Sequence, residues 1–201
     1  MPNQTDTLRA IYGEPSDFAR RKTLPQLDAH CRSFLALSPF FCLGTQGPSG
    51  GDVSPRGDQP GFVHVLDDST LAIPDWRGNN RIDSLTNIAE NSQVGLLFLI
   101  PGVDETLRIN GMAEISMDPE LLARWENGGN HPKSALIVTV KEAFIHCAKA
   151  LIRSQLWKEE SRIDRAELPS LAQILKDQLS LPTTVNEMEV KVASDYKNKL
   201  Y

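Results

Sequence analysis

The stretch Leu71-Ala72-Ile73-Pro74-Asp75-Trp76-Arg77-Gly78-Asn79-Asn80-Arg81-Ile82-Asp83-Ser84-Leu85-Thr86-Asn87-Ile88, continuing to Leu99, decides how the chain is read. It reads as a strand over Leu71–Pro74, a tight polar turn, a helix over about Asn80–Glu90, and a buried strand over Val94–Ile100. Asn80 suits an N-cap, with Asp83 three residues on, and Ile82, Leu85, Ile88 and Ala89 share one helical face. A helix N-terminus offers unpaired N–H groups and a partial positive charge, which makes it an anion site. Arg77 and Arg81 beside it match phosphate oxygens with planar forks. A Gly-Asn turn with two solvated arginines accounts equally well for these residues taken alone.

Around this stretch, 201 residues fit one domain with a helical appendage, expected as helices over 1–38, a barrel core over 39–157 and a helical extension over 158–201. Hydrophobic content of 40% with 23% charged residues is that of a globular chain. No apolar run nears the roughly 20 residues that span a bilayer. Met1-Pro2-Asn3-Gln4-Thr5-Asp6 lacks the basic and apolar regions of a signal peptide. Cys31, Cys42 and Cys147 are odd in number and widely spaced, which speaks against a disulfide framework and suits a reducing cytoplasm. A net charge of −5 disfavours nucleic acid and acidic membrane surfaces as partners. A small-molecule ligand is expected.

Residues 5–38 read as helical, with Thr23, Pro25 and Gln26 forming a capping box ahead of a Leu27, Cys31, Phe34 and Leu35 stripe. From Pro39 the pattern changes to short strands. Phe40–Thr45 ends in the turn cluster Gln46–Gly51, and Asp52–Pro55 follows. Phe62–Leu66 and Thr70–Ile73 flank the hairpin turn Asp67-Asp68-Ser69. Along Thr106–Ser116, Leu107, Ile109, Ala113 and Ile115 share one face and Arg108, Asn110 and Glu114 the other. Pro119–Glu126 reads as a short helix. Ser134–Cys147 reads as the longest strand, apolar on both faces in its first half, hence covered on both sides. Helices are expected over Ala148–Trp157, over Leu168–Leu179 and from about Val185. The last has a Thr184/Glu187 capping box and a Val185, Met188, Val192, Tyr196 and Leu200 stripe. Six or seven mainly antiparallel strands with one inserted helix and helices at both ends define an α+β chain built on a small barrel.

The familiar catalytic signatures are missing. There is no G-x-G-x-x-G after a strand, no Walker loop, no H-E-x-x-H and no G-x-S-x-G. His30, His64, His131 and His146 are scattered, so no metal site is expected. Cys147 follows His146, but adjacent strand residues point to opposite faces, so a buried structural cysteine is expected instead of a nucleophile. Arg153 and Trp157 stand at i, i+4 spacing; a cation–π pair, a cover for a planar ligand and a surface-packed tryptophan all fit.

Taken together, Ser54-Pro55-Arg56-Gly57-Asp58, the Asp75–Ile88 segment, Asn91-Ser92-Gln93-Val94-Gly95-Leu96-Leu97-Phe98, Leu107-Arg108-Ile109-Asn110-Gly111 and the His146–Ser154 run resemble the pyridoxamine 5′-phosphate oxidase-like flavoproteins with the FMN-binding split barrel. The resemblance covers roughly Phe40 to Trp157. Ser92 stands where the family usually has proline. Glu105 and Thr106 replace the Arg-Gln of pyridoxamine phosphate oxidases proper, and their C-terminal R-L-x-P signature is missing. The resemblance is therefore to the wider family, without its vitamin B6 substrate.

The resemblance implies a homodimer with FMN in a groove between subunits, a small-molecule substrate, and NADH or NADPH or the substrate itself as reductant. By residue, it implies that Ser54, Arg56, Arg77, Asn80, Arg81, Ser84 and the helix start hold the phosphate. The Asp75–Trp76 strand end would meet the isoalloxazine edge, Arg108 would face the flavin N1–O2 locus, and Arg153 or Trp157 would cover the ring. No side chain is singled out as catalytic, because hydride arrival at the flavin needs no dedicated acid or base and the cofactor carries the chemistry. An FMN-dependent oxidoreductase is the first expectation. A non-catalytic flavin carrier or redox sensor, or a barrel using F420 or haem, is the alternative.

Overall fold

Strand alternation builds the core. In the computed structural model, which describes residues 3–201 and so leaves the first two residues of the leader reading outside it, seven strands form one antiparallel sheet in the order β2-β1-β5-β6-β7-β4-β3. They are β1 (Phe40–Gly47), β2 (Gly50–Gly57), β3 (His64–Val65), β4 (Thr70–Asp75), β5 (Gln93–Leu99), β6 (Thr106–Ser116) and β7 (Ser134–His146). Phe41 and Leu43 of β1, Leu96 and Phe98 of β5, Leu107 and Ile109 of β6, and Leu136 and Val138 of β7 point inward and are fully buried. The sheet curls until β2 faces the end of β4 without pairing to it. Side chains close that gap: Arg56 on β2 forms an ion pair with Asp75 on β4. Helix α4 (Asp83–Glu90) plugs the barrel between β4 and β5, burying Ile88 with Leu85 beside it.

The expected two-sided burial of β7 holds: Ala135 packs with Ala72 and Trp125 in a second cluster on the outer face, joined by Trp76 and Ile137. Thr106–Ser116 keeps its single buried face, and the 67–69 turn joins β3 to β4. Only His64 and Val65 of the expected Phe62–Leu66 strand pair. Phe62 and Val63 turn into the core instead, and the Phe62 carbonyl accepts from Trp125 Nε1 at 2.7 Å.

The helical edges differ from expectation for local reasons. The 5–38 run divides into α1 (Gln4–Tyr12), α2 (Asp17–Arg21) and α3 (Ala29–Leu37). Thr23–Gln26 does not cap α3, because Leu24 is drawn into backbone pairing with Ala143 of β7, and Asp28 accepts from Cys31 N–H at 2.8 Å in its place. α5 is short (Pro119–Leu122), since Trp125 leaves the helical path to enter the core. α6 (Lys149–Ser154) is closed by a left-handed Gln155, so Trp157 never reaches helical register with Arg153. α7 (Leu171–Leu179) starts at a Ser170 cap, and α8 (Val185–Asn198) carries the expected Thr184/Glu187 capping box. Val185, Met188 and Val192 of its stripe are half-buried, while Tyr196 and Leu200 stay exposed. Cys147 lies just past β7 and is exposed, which corrects the buried-cysteine expectation; Cys31 is the buried one. No helix among the described residues is long and apolar enough to cross a membrane.

Candidate functional site

The gap between β2 and β4 opens into a cleft of about 530 Å³. Its walls come from the Asp52–Arg56 part of β2, the Asp75–Arg81 turn after β4, the first turn of α4, and Lys133–Ser134 at the start of β7. Eight of the predicted residues gather there: Ser54, Arg56, Asp75, Trp76, Arg77, Asn80, Arg81 and Ser84. They form a network. Arg56 pairs with Asp75 and also donates from Nε to Ser54 Oγ at 3.3 Å, and Ser54 Oγ lies 3.0 Å from Ser84 Oγ. Ser84 is buried, so this hydroxyl pair sits at the floor.

Helix α4 begins later than its sequence suggests. Asn80 does not cap it: Asn80 and Ile82 both have positive φ, 59° and 53°. Asn79 Oδ1 takes the N–H of Arg81 at 3.0 Å, a local turn that competes with helical capping. A β-branched residue at positive φ is an outlier, so the chain pays strain to hold Ile82 there. As a result no side chain caps α4, and the N–H groups of Asp83, Ser84 and Leu85 have no partner among the described residues. These donors face the cleft with the positive end of the helix behind them.

Charge is not uniform across the cleft. Four cations, Arg56, Arg77, Arg81 and Lys133, line it with three carboxylates, Asp52, Asp75 and Asp83. Arg56 is taken by Asp75, and Arg81 by Asp83 at 2.7 Å, which raises the exposed Arg81 above its ordinary pKa through that hydrogen bond. Arg77 and Lys133 make no ion pair among the described residues, so they carry the uncompensated charge. Lys133 escaped the sequence reading. It reaches the cleft only because Ser134 is in register with Asp75, whose carbonyl accepts the Lys133 N–H at 3.2 Å. The Trp76 indole N–H is buried without a partner among the described residues, a donor left over in the same wall.

Three predicted residues lie elsewhere. Arg108 stands on the outer face of β6, its guanidinium 5.5 Å from the Phe144 ring centroid. Trp157 donates to the Val103 carbonyl at 2.8 Å in the β5–β6 connection, and Arg153 is exposed on α6. The chain does not bring them to the cleft.

The fold is an α+β split barrel whose seam opens into a cleft lined by arginines, Lys133 and the first turn of α4. The sequence profile described as pyridoxamine 5′-phosphate oxidase matches residues 27–147, and the chain belongs to that family. No curated protein matches it. Among solved structures, HupZ of Group A Streptococcus is similar at 18% identity over 59% of this chain and 93% of that one, with a TM-score of 0.48. General Stress Protein 26 of Bacillus anthracis is similar at 16% identity over 58% and 93%, with a TM-score of 0.42. An FMN-binding protein of Syntrophomonas wolfei is similar at 12% identity over 72% and 98%, with a TM-score of 0.44.

Proposed function

We propose that the chain is an FMN-dependent oxidoreductase acting on a small organic molecule as a homodimer. The observation that carries this reading is the uncapped N-terminus of α4, set over the Ser54–Ser84 hydroxyls and beside Arg77, Arg81 and Lys133. Unpaired amides and helix dipole favour an anion, and the unpaired Lys133 together with Arg81 favours a doubly charged one such as a phosphate monoester. Bound there, FMN supplies a two-electron acceptor that no side chain of the chain provides.

The chain's own residues bind and orient. Lys133, Arg81 and the amides of Ser84 and Leu85 hold the phosphate. Asp75 fixes Arg56 across the seam, so that guanidinium keeps its position without free rotation. Trp76 walls the cleft and offers its spare N–H. Arg108, Arg153 and Trp157 serve the flavin only from a second chain, so this reading assigns those roles to Arg108 of the partner subunit, Arg153 of the partner subunit and Trp157 of the partner subunit. All three segments, 1–38, 39–157 and 158–201, are read as one working unit.

Absorbance of the purified protein tests the cofactor: oxidised-flavin bands are expected, and a Soret band overturns the reading. Lys133→Ala and Arg81→Ala should each weaken FMN binding about tenfold, on the order of 1.4 kcal/mol. Full flavin occupancy in the double variant would show that the phosphate lies elsewhere. Reduction of the bound flavin by NADH or NADPH separates an enzyme from a carrier.

A further inference from the structure

Next to the cleft lies a smaller cavity of about 230 Å³, between β2, the end of β4 and the chain after α8. Phe62 and Pro74, both buried, form its apolar side; Trp76 and Tyr201 supply aromatic walls; Arg56 and Arg77 supply positive charge. Arg56, Trp76 and Arg77 line the cleft as well, so the two spaces share a wall. Tyr201 is held at both ends. Its ring meets Trp76 edge-to-face at 5.0 Å, and its phenol donates to Asp58 Oδ1 at 2.9 Å. Edge-to-face pairs are favourable beyond area burial, and the phenol hydrogen bond anchors the other end of the ring.

The chemistry of the lining is selective. Asp75 neutralises Arg56, and Asp58 is occupied by the Tyr201 phenol. Asp195 on α8, which Arg77 influences electrostatically, is paired with Lys199. Arg77 therefore lines the space as its one cation without an ion pair among the described residues, beside rings, prolines, Leu200 and the Asp75-paired Arg56. That combination suits a single carboxylate on a flat apolar body: the fork binds the carboxylate, and Phe62, Trp76 and Tyr201 cover the body. The volume is below the roughly 300–1,000 Å³ of sites for drug-sized ligands, which limits the occupant to a small molecule.

We propose that this cavity is a binding site for a small aromatic or unsaturated carboxylate, and that such a monoanion is the substrate class of the flavin site next door. The substrate assignment rests on the FMN reading above; the binding site does not. Tyr201 acts as a positioning residue that holds Trp76 against the ligand.

The test titrates benzoate, and benzamide as its uncharged counterpart, into the protein with saturating FMN, following tryptophan fluorescence and the flavin band. Benzoate should bind at least about tenfold more tightly than benzamide, and Arg77→Gln should abolish that preference. Tyr201→Ala should weaken benzoate about tenfold, and Tyr201→Phe, which keeps the ring against Trp76, should restore it. Equal binding of the two probes, or a preference that survives Arg77→Gln, overturns the proposal. Flavin content is measured separately. A protein that holds flavin but ignores benzoate defeats only this inference, whereas one that binds benzoate by tryptophan fluorescence but holds no flavin defeats the FMN reading and leaves the carboxylate site standing.

Discussion

His64, one of four scattered histidines, serves packing. Its imidazole stacks on Trp125 with centroids 4.5 Å apart and planes 17° from parallel. Burial first, and the charge of Arg124 second, hold its pKa below the ordinary 6.5. The fold thus favours the neutral ring, while the unfolded chain takes up a proton as the pH falls through about 6.5. Between the depressed folded value and 6.5 the unfolded state binds more protons, so stability falls as pH falls across that window and is level below it. His64→Phe keeps a ring against Trp125 and removes the titration. Thermal melts should show the native protein losing Tm as the pH falls through about 6.5, with the variant flatter over the same range. Parallel profiles would mean that His64 is not linked to folding. The stacking partner is not legible in the sequence, because it depends on Trp125 leaving α5, a contact spanning 61 positions that no local pattern encodes.

At the scale of elements, legibility follows how local the determining interaction is. β6 was readable residue by residue because alternation at period two is set by the pleat, and α8 because Thr184 and Glu187 satisfy each other within one turn. The start of α4 departs from its sequence pattern because Asn79 accepts from the Arg81 N–H and Asn80 and Ile82 take left-handed conformations in a turn before the helix. Half of the cleft was legible as an Arg-rich turn before a helix; Lys133 was not, since strand register across a long connection delivers it. Gly111 illustrates the same limit. It reads as one more residue of a strand, yet a Cβ there would lie 2.3 Å from the Thr139 carbonyl oxygen, where β6 meets the irregularity in its pairing with β7. Backbone cannot yield as a flexible side chain can. Gly111→Ala should therefore destabilise the barrel by about 1–3 kcal/mol, as overpacking does, read as a lower urea midpoint with an unchanged slope. An unaltered midpoint would show that the sheet relaxes there at no cost.

For the whole molecule, the face that matters is the outside of the sheet. Gly44, Gly95 and Asn110 stand side by side across β1, β5 and β6, so that no side chain rises from the first two positions. A shallow groove of about 720 Å³ follows that floor, and Val53 and Met112 at its edges are exposed, with Leu97 exposed on β5 nearby. Val53, Leu97 and Met112 cluster on this one face of the sheet, and a contiguous exposed apolar patch marks an association surface. The proposed function also needs a second chain, because Arg108, Arg153 and Trp157 lie away from the cleft they would serve. A C2 pairing would satisfy both demands at once, since a self-complementary face brings two equivalent clefts under two equivalent partners. Light scattering behind size exclusion should give twice the chain mass, and Met112→Asp together with Val53→Asp should give a monomer, since burying two carboxylates without partners is unfavourable. Flavin occupancy decides what the dimer is for. It should fall with the dimer if partner residues complete the site, while a monomer that retains full flavin would confine the cofactor to the seam of one barrel and remove any role for Arg108, Arg153 and Trp157 in holding it.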